Sequence, residues 1–241
     1  MTGFSAKESR WPRAILFDLD GTLIDSAPDL CASVNDLLAQ DSLPPLSREA
    51  VRGMIGHGVR KLVERAYAFS GRTLPTIIGT PMQGETLDGA TDRMMEIYGR
   101  QLTRHTTLMP GAMEMVVAYH MAGVKIGVVT NKPEAFTREI LGHFGLLALV
   151  DVVVGGDTGP LRKPAPDMLE HALLQVGVSP LHALMVGDSP ADTDAARAAG
   201  VASIAVGGGY TTVPADALGA DRVISTLMEL PAAIEAFRAA I

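Results

Sequence analysis

From about residue 107 onward, short apolar runs alternate with stretches of helical periodicity, and this constrains the fold more than any other feature. Val124–Val129, Val150–Val154, Ala183–Val186, Val201–Val206 and Arg222–Ile224 each have the length and character of a strand. Between them, Gly111–Met121, Pro133–His143, Pro166 to Gly177 and Pro190–Ala199 read as helices. Pro166 suits a helix start, and Gly177 and Gly200 suit helix ends. Strands that alternate with helices predict a parallel sheet covered on both faces, because parallel neighbours need a long crossover between them.

One more apolar run, Ala14–Phe17, stands near the amino terminus. The segment that follows changes character. Leu30, Val34, Leu37 and Leu38 recur at helical spacing. Ser47 can open a second short helix, with Glu49 in its first turn. Gly56-His57-Gly58 breaks that helix, and Val59, Leu62, Val63 and Ala66 mark a third. Met94, Met95, Tyr98 and Leu102 mark a fourth, while residues 71–90 read as a loop or irregular insertion. No strand is expected here. The predicted class is α/β: a Rossmann-like parallel core from residues 1–25 and 107–241, interrupted after its first strand by an α-helical unit at 26–106.

Charge narrows the partners. Twenty Lys and Arg against 27 Asp and Glu leave a net charge of −7. That disfavours nucleic acid and anionic membranes. Cys31 is the only cysteine, so no internal disulfide can form, which fits a reducing compartment. Met1–Trp11 shows no secretory pattern, and the apolar runs around Asp151 are too short to span a bilayer. The expected setting is the cytoplasm, and the expected partner is a small anionic molecule.

Four polar clusters fall at the carboxyl ends of predicted strands. Asp18 and Asp20 follow Phe17 and precede Gly21. Thr130-Asn131 follows Val129, Lys163 lies in the loop after Val150–Val154, and Asp188-Ser189 with Asp192 follows Val186 and Gly187. Each has a local explanation. Asp18 and Asp20 could close a turn, Thr130-Asn131 or Asp188-Ser189 could start a helix, Asp192 could favour a helix dipole, and Lys163 could be solvated. A parallel sheet, however, brings all four to one edge, where open α/β folds place their ligands. Two carboxylates about 4 Å apart repel by about 4 kcal/mol at an effective dielectric near 20. The clustered aspartates therefore need cations. Lys163 supplies one, and an oxygen-liganded divalent ion supplies the rest. With no His or Cys cluster, Mg²⁺ is expected rather than zinc.

The stretch Asp18 to Ser26, with Thr130-Asn131-Lys132-Pro133, Lys163-Pro164 and Gly187 to Asp192, resembles the four motifs of haloacid dehalogenase (HAD) superfamily phosphohydrolases. Gly56 to Ala66 is similar to the cap segment of bacterial phosphoglycolate phosphatases, although residues 71–90 depart from their compact cap. The resemblance implies Asp18 as nucleophile, forming an aspartyl-phosphate, and Asp20 as the acid and base. It implies Mg²⁺ on the Asp18 and Asp188 carboxylates and the Asp20 backbone carbonyl. Thr130, the Asn131 amide and Lys163 would hold the phosphoryl oxygens, and Asp192, with Ser189, would orient neighbouring groups.

The helical unit would then cover the site and select the leaving group. Phosphoglycolate carries a second anion, and the glycine-flanked helix start at 56–59, with His57 and Arg60 or Arg65, is the expected receiver. Three other readings stay open: a phosphatase for another small ester, a sugar phosphomutase, and a phospho-acceptor switch that binds partners without turnover. A true dehalogenase is disfavoured by Asp20 and the acidic fourth motif.

Overall fold

A computed structural model describes residues 11–75 and 86–238. Most of Met1–Trp11 and the centre of the 71–90 segment lie outside the described residues. The strands are Ala14–Phe17 (β1), Ile24–Asp25 (β2), Thr107–Leu108 (β3), Lys125–Val129 (β4), Val152–Val154 (β5), Ala183–Gly187 (β6), Ala202–Val206 (β7) and Arg222–Ile224 (β8). The helices are Ala27–Gln40 (α1), Arg48–Arg52 (α2), Val59–Phe69 (α3), Leu87–Gly99 (α4), Ala112–Met121 (α5), Glu134–His143 (α6), Asp167–Val176 (α7), Pro190–Ala199 (α8) and Leu230–Arg238 (α9).

Six strands form one sheet in the order β5-β4-β1-β6-β7-β8, and every pairing is parallel. All four residues of β1 are fully buried, as expected of a central strand covered on both faces. The pleat divides them. Ile15 and Phe17 join Val128, Leu184 and Ile204 on one face. Ala14 and Leu16 join Met185 and the apolar sides of α7 and α8 on the other. The chain leaves β1 for β4 on one side and later returns to β6 on the other, so the order reverses at β1. That reversal opens a crevice beyond its carboxyl end.

The helical insertion is present. Its four described helices lie between β2 and β3, which pair antiparallel as a short ribbon, Ile24 with Leu108 and Asp25 with Thr107. Two-residue strands of mixed polarity leave no sequence signal, and the ribbon was not expected. Behind it, buried Asp29 of α1 accepts hydrogen bonds from the His105 and Thr106 backbone and the Thr106 hydroxyl, tying the outgoing chain to the returning one. Val63, Tyr67, Met94 and Tyr98 of the insertion belong to the same apolar cluster as Ile15 and Phe17.

Several boundaries moved. The predicted 71–90 loop ends early, because Thr86 accepts from the Gly89 N–H and starts α4 at Leu87. Leu102 lies beyond that helix. Strand β5 begins at Val152 because Leu147–Leu149 forms a 3₁₀ turn. Helix α9, which packs on β8, was not anticipated. Gly177 ends α7 in the left-handed conformation, φ 67°, that glycine adopts without penalty. No helix among the described residues is long and apolar enough to cross a membrane.

Candidate active site

The four strand-end clusters meet. The Asp18 N–H still donates to the Val186 carbonyl, so β1 holds its aspartate in ladder register as the strand ends. Gly21 then turns the chain with φ +89°. The Lys163 ammonium lies 2.9 Å from Asp18 Oδ1, 2.6 Å from Asp192 Oδ1 and 2.7 Å from the Val129 carbonyl. Asp18, Lys163, Asp188 and Asp192 are all buried.

Carboxylate oxygens of Asp18, Asp188 and Asp192 lie within 4.8 Å of one another. Their surroundings divide them. Asp192 is satisfied: Oδ1 takes Lys163, and Oδ2 takes the N–H (3.0 Å) and hydroxyl (2.7 Å) of Ser189. It serves Lys163 and the start of α8. Asp18 Oδ1 is buried, with the Lys163 ammonium 2.9 Å away. Burial pushes the Asp18 pKa up to about 6; Lys163 opposes the rise, and Asp192 and Asp20 add to it. Burial, then the Asp192 and Asp18 charges, also raise Asp188 well above the ordinary carboxylate range, against the Tyr210 N–H and the Thr22 hydroxyl. Burial disfavours the Lys163 ammonium too, but Asp18 and Asp192 outweigh it and hold the lysine charged. One lysine against three buried carboxylates leaves negative charge over. The donors are hard oxygens. These residues fit a divalent cation bound between Asp18 and Asp188.

Asp20 faces a different group. The Lys132 ammonium sits 2.9 and 3.1 Å from its two oxygens, and the Ser26 hydroxyl donates at 2.5 Å. Lys132 also lies 4.7 Å from the centre of the Tyr98 ring, a residue of α4. Neither Lys132 nor Ser26 was picked out from sequence. Lys132 directly follows Thr130-Asn131, and that adjacency was the available signal. Tyr210, whose N–H donates to Asp188 Oδ2 at 2.6 Å, was also missed.

The insertion roofs the site. Asn131 Nδ2 donates to the Gly56 carbonyl and to the Lys163 carbonyl, both at 3.0 Å. Its side-chain nitrogen is thus committed to holding loops together. A cavity of about 30 Å³ lies between Asp18, Asp20, Thr130 and Lys132 below and Leu30, Ile55, Val59 and Leu62 above. A larger one of about 260 Å³ joins Asp18, Asp20 and Asp188 to His57, Arg65 and Thr211. Arg65 Nη1 donates to the Met54 carbonyl at 3.0 Å and lies 3.3 Å from His57 Nδ1. Partial burial and the Arg65 charge lower the His57 pKa. Arg60 is placed elsewhere. It lines neither cavity, is 46 % exposed and pairs with Asp88 at 3.0 Å.

Known proteins are similar to this chain. The phosphoglycolate phosphatase of Caulobacter vibrioides is 37% identical over 219 residues, covering 91% of this chain and 89% of that protein. The phosphoglycolate phosphatase of Rhodospirillum rubrum is 40% identical over 223 residues, with the same two coverages. A crystal structure described as a predicted phosphoglycolate phosphatase from Haemophilus somnus superposes with a TM-score of 0.84 at 30% identity, covering 92% of this chain and 97% of that one. The model of the haloacid dehalogenase-like hydrolases matches residues 15–206, from within β1 to the end of β7. That span holds every strand-end cluster of the site, and the chain belongs to the haloacid dehalogenase-like hydrolases.

Proposed function

We propose that the protein is a phosphoglycolate phosphatase, a Mg²⁺-dependent phosphomonoester hydrolase that converts 2-phosphoglycolate to glycolate and phosphate. The observation that carries the reading is the Asp18 carboxylate: buried at a strand end, 2.9 Å from the buried Lys163 ammonium and facing a roofed cavity.

In this reading Asp18 attacks phosphorus. An Asp18–phosphorus bond forms as the ester P–O bond breaks, and Asp20 gives a proton to the departing glycolate oxygen. Asp20 then takes a proton from the water that attacks the aspartyl-phosphate, releasing phosphate and restoring Asp18. The Thr130 hydroxyl, the Asn131 backbone N–H and Lys163 hold the phosphoryl oxygens, and Asp192, braced by Ser189, holds Lys163 in place. The Asp18 and Asp188 carboxylates and the Asp20 backbone carbonyl would hold Mg²⁺, which would supply positive charge against the phosphoryl oxygens.

The substrate carboxylate is assigned to Arg65, with His57 beside it, because both line the cavity that reaches Asp18 and Asp188. Arg60 is left out for its pairing with Asp88. Residues 26–106 are taken as the cap and residues 1–25 and 107–241 as the core. The single cysteine keeps the cytoplasm as the expected compartment.

The test is Mg²⁺-dependent phosphate release across a panel of small phosphate esters. Preference for phosphoglycolate, abolished in Asp18→Asn, is expected. Turnover of another ester with phosphoglycolate untouched would overturn the substrate, and wild-type-like turnover by Asp18→Asn would overturn the mechanism. Isomerised product in place of free phosphate would make the protein a mutase.

A further inference from the structure

The loop after β7 belongs to the core, yet the cap grips it. Arg52, the last residue of α2, donates through Nη2 to the Gly208 carbonyl at 2.5 Å and the Gly209 carbonyl at 2.7 Å. Its guanidinium also lies 5.4 Å from the centre of the Tyr210 ring. The two hydrogens of one guanidinium nitrogen serve the two adjacent acceptors.

Tyr210 is buried and acts in two directions. Its backbone N–H donates to Asp188 Oδ2 at 2.6 Å. Its hydroxyl accepts from the Ser26 N–H at 2.6 Å and the Ala27 N–H at 3.0 Å, and donates to Asp25 Oδ1 at 2.7 Å. Asp25 to Ala27 is where the chain passes from the core into α1. One residue therefore joins the carboxylate facing the cation site to the neck of the cap, while Arg52 ties the same loop to α2. The fit is close. A Cβ on Gly209 would overlap the Asp188 carboxylate, so the loop rests directly against it. Among the described residues, Asp188 has, apart from Tyr210, only the Thr22 hydroxyl, at a longer 3.2 Å. A shift of the loop withdraws the shorter of its two hydrogen bonds.

We propose that Arg52 and Tyr210 are positioning residues that orient Asp188 for its cation only while α2 lies against the 208–210 loop, so that cation affinity and cap position are coupled. The proposal rests on the reading of Asp188 as a cation ligand. Coupling is reciprocal: a cap that favours the cation is favoured by it.

The experiment is Mg²⁺ titration by calorimetry, without substrate, on wild type, Arg52→Ala, Tyr210→Phe, Asp188→Asn and Arg48→Ala, the last a control on the same helix. Arg52→Ala and Tyr210→Phe are expected to weaken binding about ten-fold, the scale of losing a group that holds a metal ligand in place. Arg48→Ala is expected to match wild type, and Asp188→Asn to abolish binding. If Asp188→Asn binds Mg²⁺ like wild type, the cation reading itself fails and the proposal with it. If Asp188→Asn abolishes binding but Arg52→Ala and Tyr210→Phe bind like wild type, only the coupling is overturned. If Arg52→Ala does not fold, Arg52→Met, which keeps the side-chain bulk but donates no hydrogen bond, gives the same comparison: weakened binding supports the coupling and wild-type affinity overturns it.

Discussion

The Lys132 ammonium sits 2.9 Å from Asp20 Oδ1 and 3.1 Å from Oδ2, with both side chains nearly shielded from water. Burial disfavours the lysine charge, but Asp20 and Tyr98 outweigh it and raise the lysine pKa. Breaking a buried pair leaves one charge without compensation and typically costs about 3–5 kcal/mol. Lys132→Met is therefore expected to destabilise the fold by about 3 kcal/mol in urea unfolding. Lys132→Met with Asp20→Asn is expected to regain part of that loss. A double variant no more stable than Lys132→Met would show that the lysine acts through its packing on Tyr98 instead.

The raised pKa of Asp18 gives the cation-free protein a definite pH response. A carboxyl group whose folded pKa, about 6, exceeds its ordinary value of 3.8 stabilises the fold below pH 4. That contribution is lost as pH rises to about 6, when Asp18 must ionise in place. Asp18→Asn removes the cost. Without divalent ions at pH 8, the variant is expected to be more stable than wild type by on the order of 3 kcal/mol. The gap is expected to close below pH 4, and added Mg²⁺ should raise the Tm of wild type more than that of the variant. Thermal unfolding across pH, with and without Mg²⁺, reads both effects.

Arg65 and Arg60 give a direct comparison within α3. A charge-assisted hydrogen bond is worth about 1.5–3 kcal/mol, so Arg65→Ala is expected to raise the KM for phosphoglycolate about ten- to a hundred-fold. A phosphate ester with a neutral tail should be affected far less. Arg60→Ala is expected to change either substrate less than two-fold, as its ion pair with Asp88 is exposed. Equal losses on both substrates in Arg65→Ala would remove Arg65 from the substrate site.

Within the cap, Asp41 accepts from the Tyr67 hydroxyl at 2.6 Å and from Arg93 and Arg72 at 3.1–3.2 Å. Burial works against its charge, but these donors prevail and lower its pKa. Its contribution is present above the ordinary carboxylate range and is lost as pH falls through the lowered value. Asp41→Asn is expected to cost about 1–2 kcal/mol at pH 7 and less under acid conditions, measured by thermal unfolding at both.

What could be read along the chain was what a few consecutive residues decide. Buried parallel strands are unbroken apolar runs, so Ala14–Phe17, Ala183–Val186 and Val201–Val206 announced the sheet, and each polar residue directly after such a run announced its place at the edge. Asp18, Lys163, Asp188 and Asp192 meet because strand polarity leaves them nowhere else to go. The helical insertion was legible from the spacing of Leu30, Val34 and Leu37 for the same reason.

Contacts between distant segments were not legible. Lys132 reaches Asp20 across 112 positions, Tyr210 reaches Ser26 across 184 and Arg52 reaches Gly208 across 156. No local pattern encodes these, since each depends on how the cap docks over the sheet edge. Arg60 and Arg65 looked equivalent in sequence, but five positions turn a helix by about 140° from one to the other. By itself the sequence determined the parallel core, the inserted helices and the acidic sheet edge, because short-range burial and strand polarity suffice for them. Only the tertiary structure decided which cation holds Asp20, which arginine faces the cavity and how the cap is tied to Asp188, because these depend on the packing of segments that the chain places far apart.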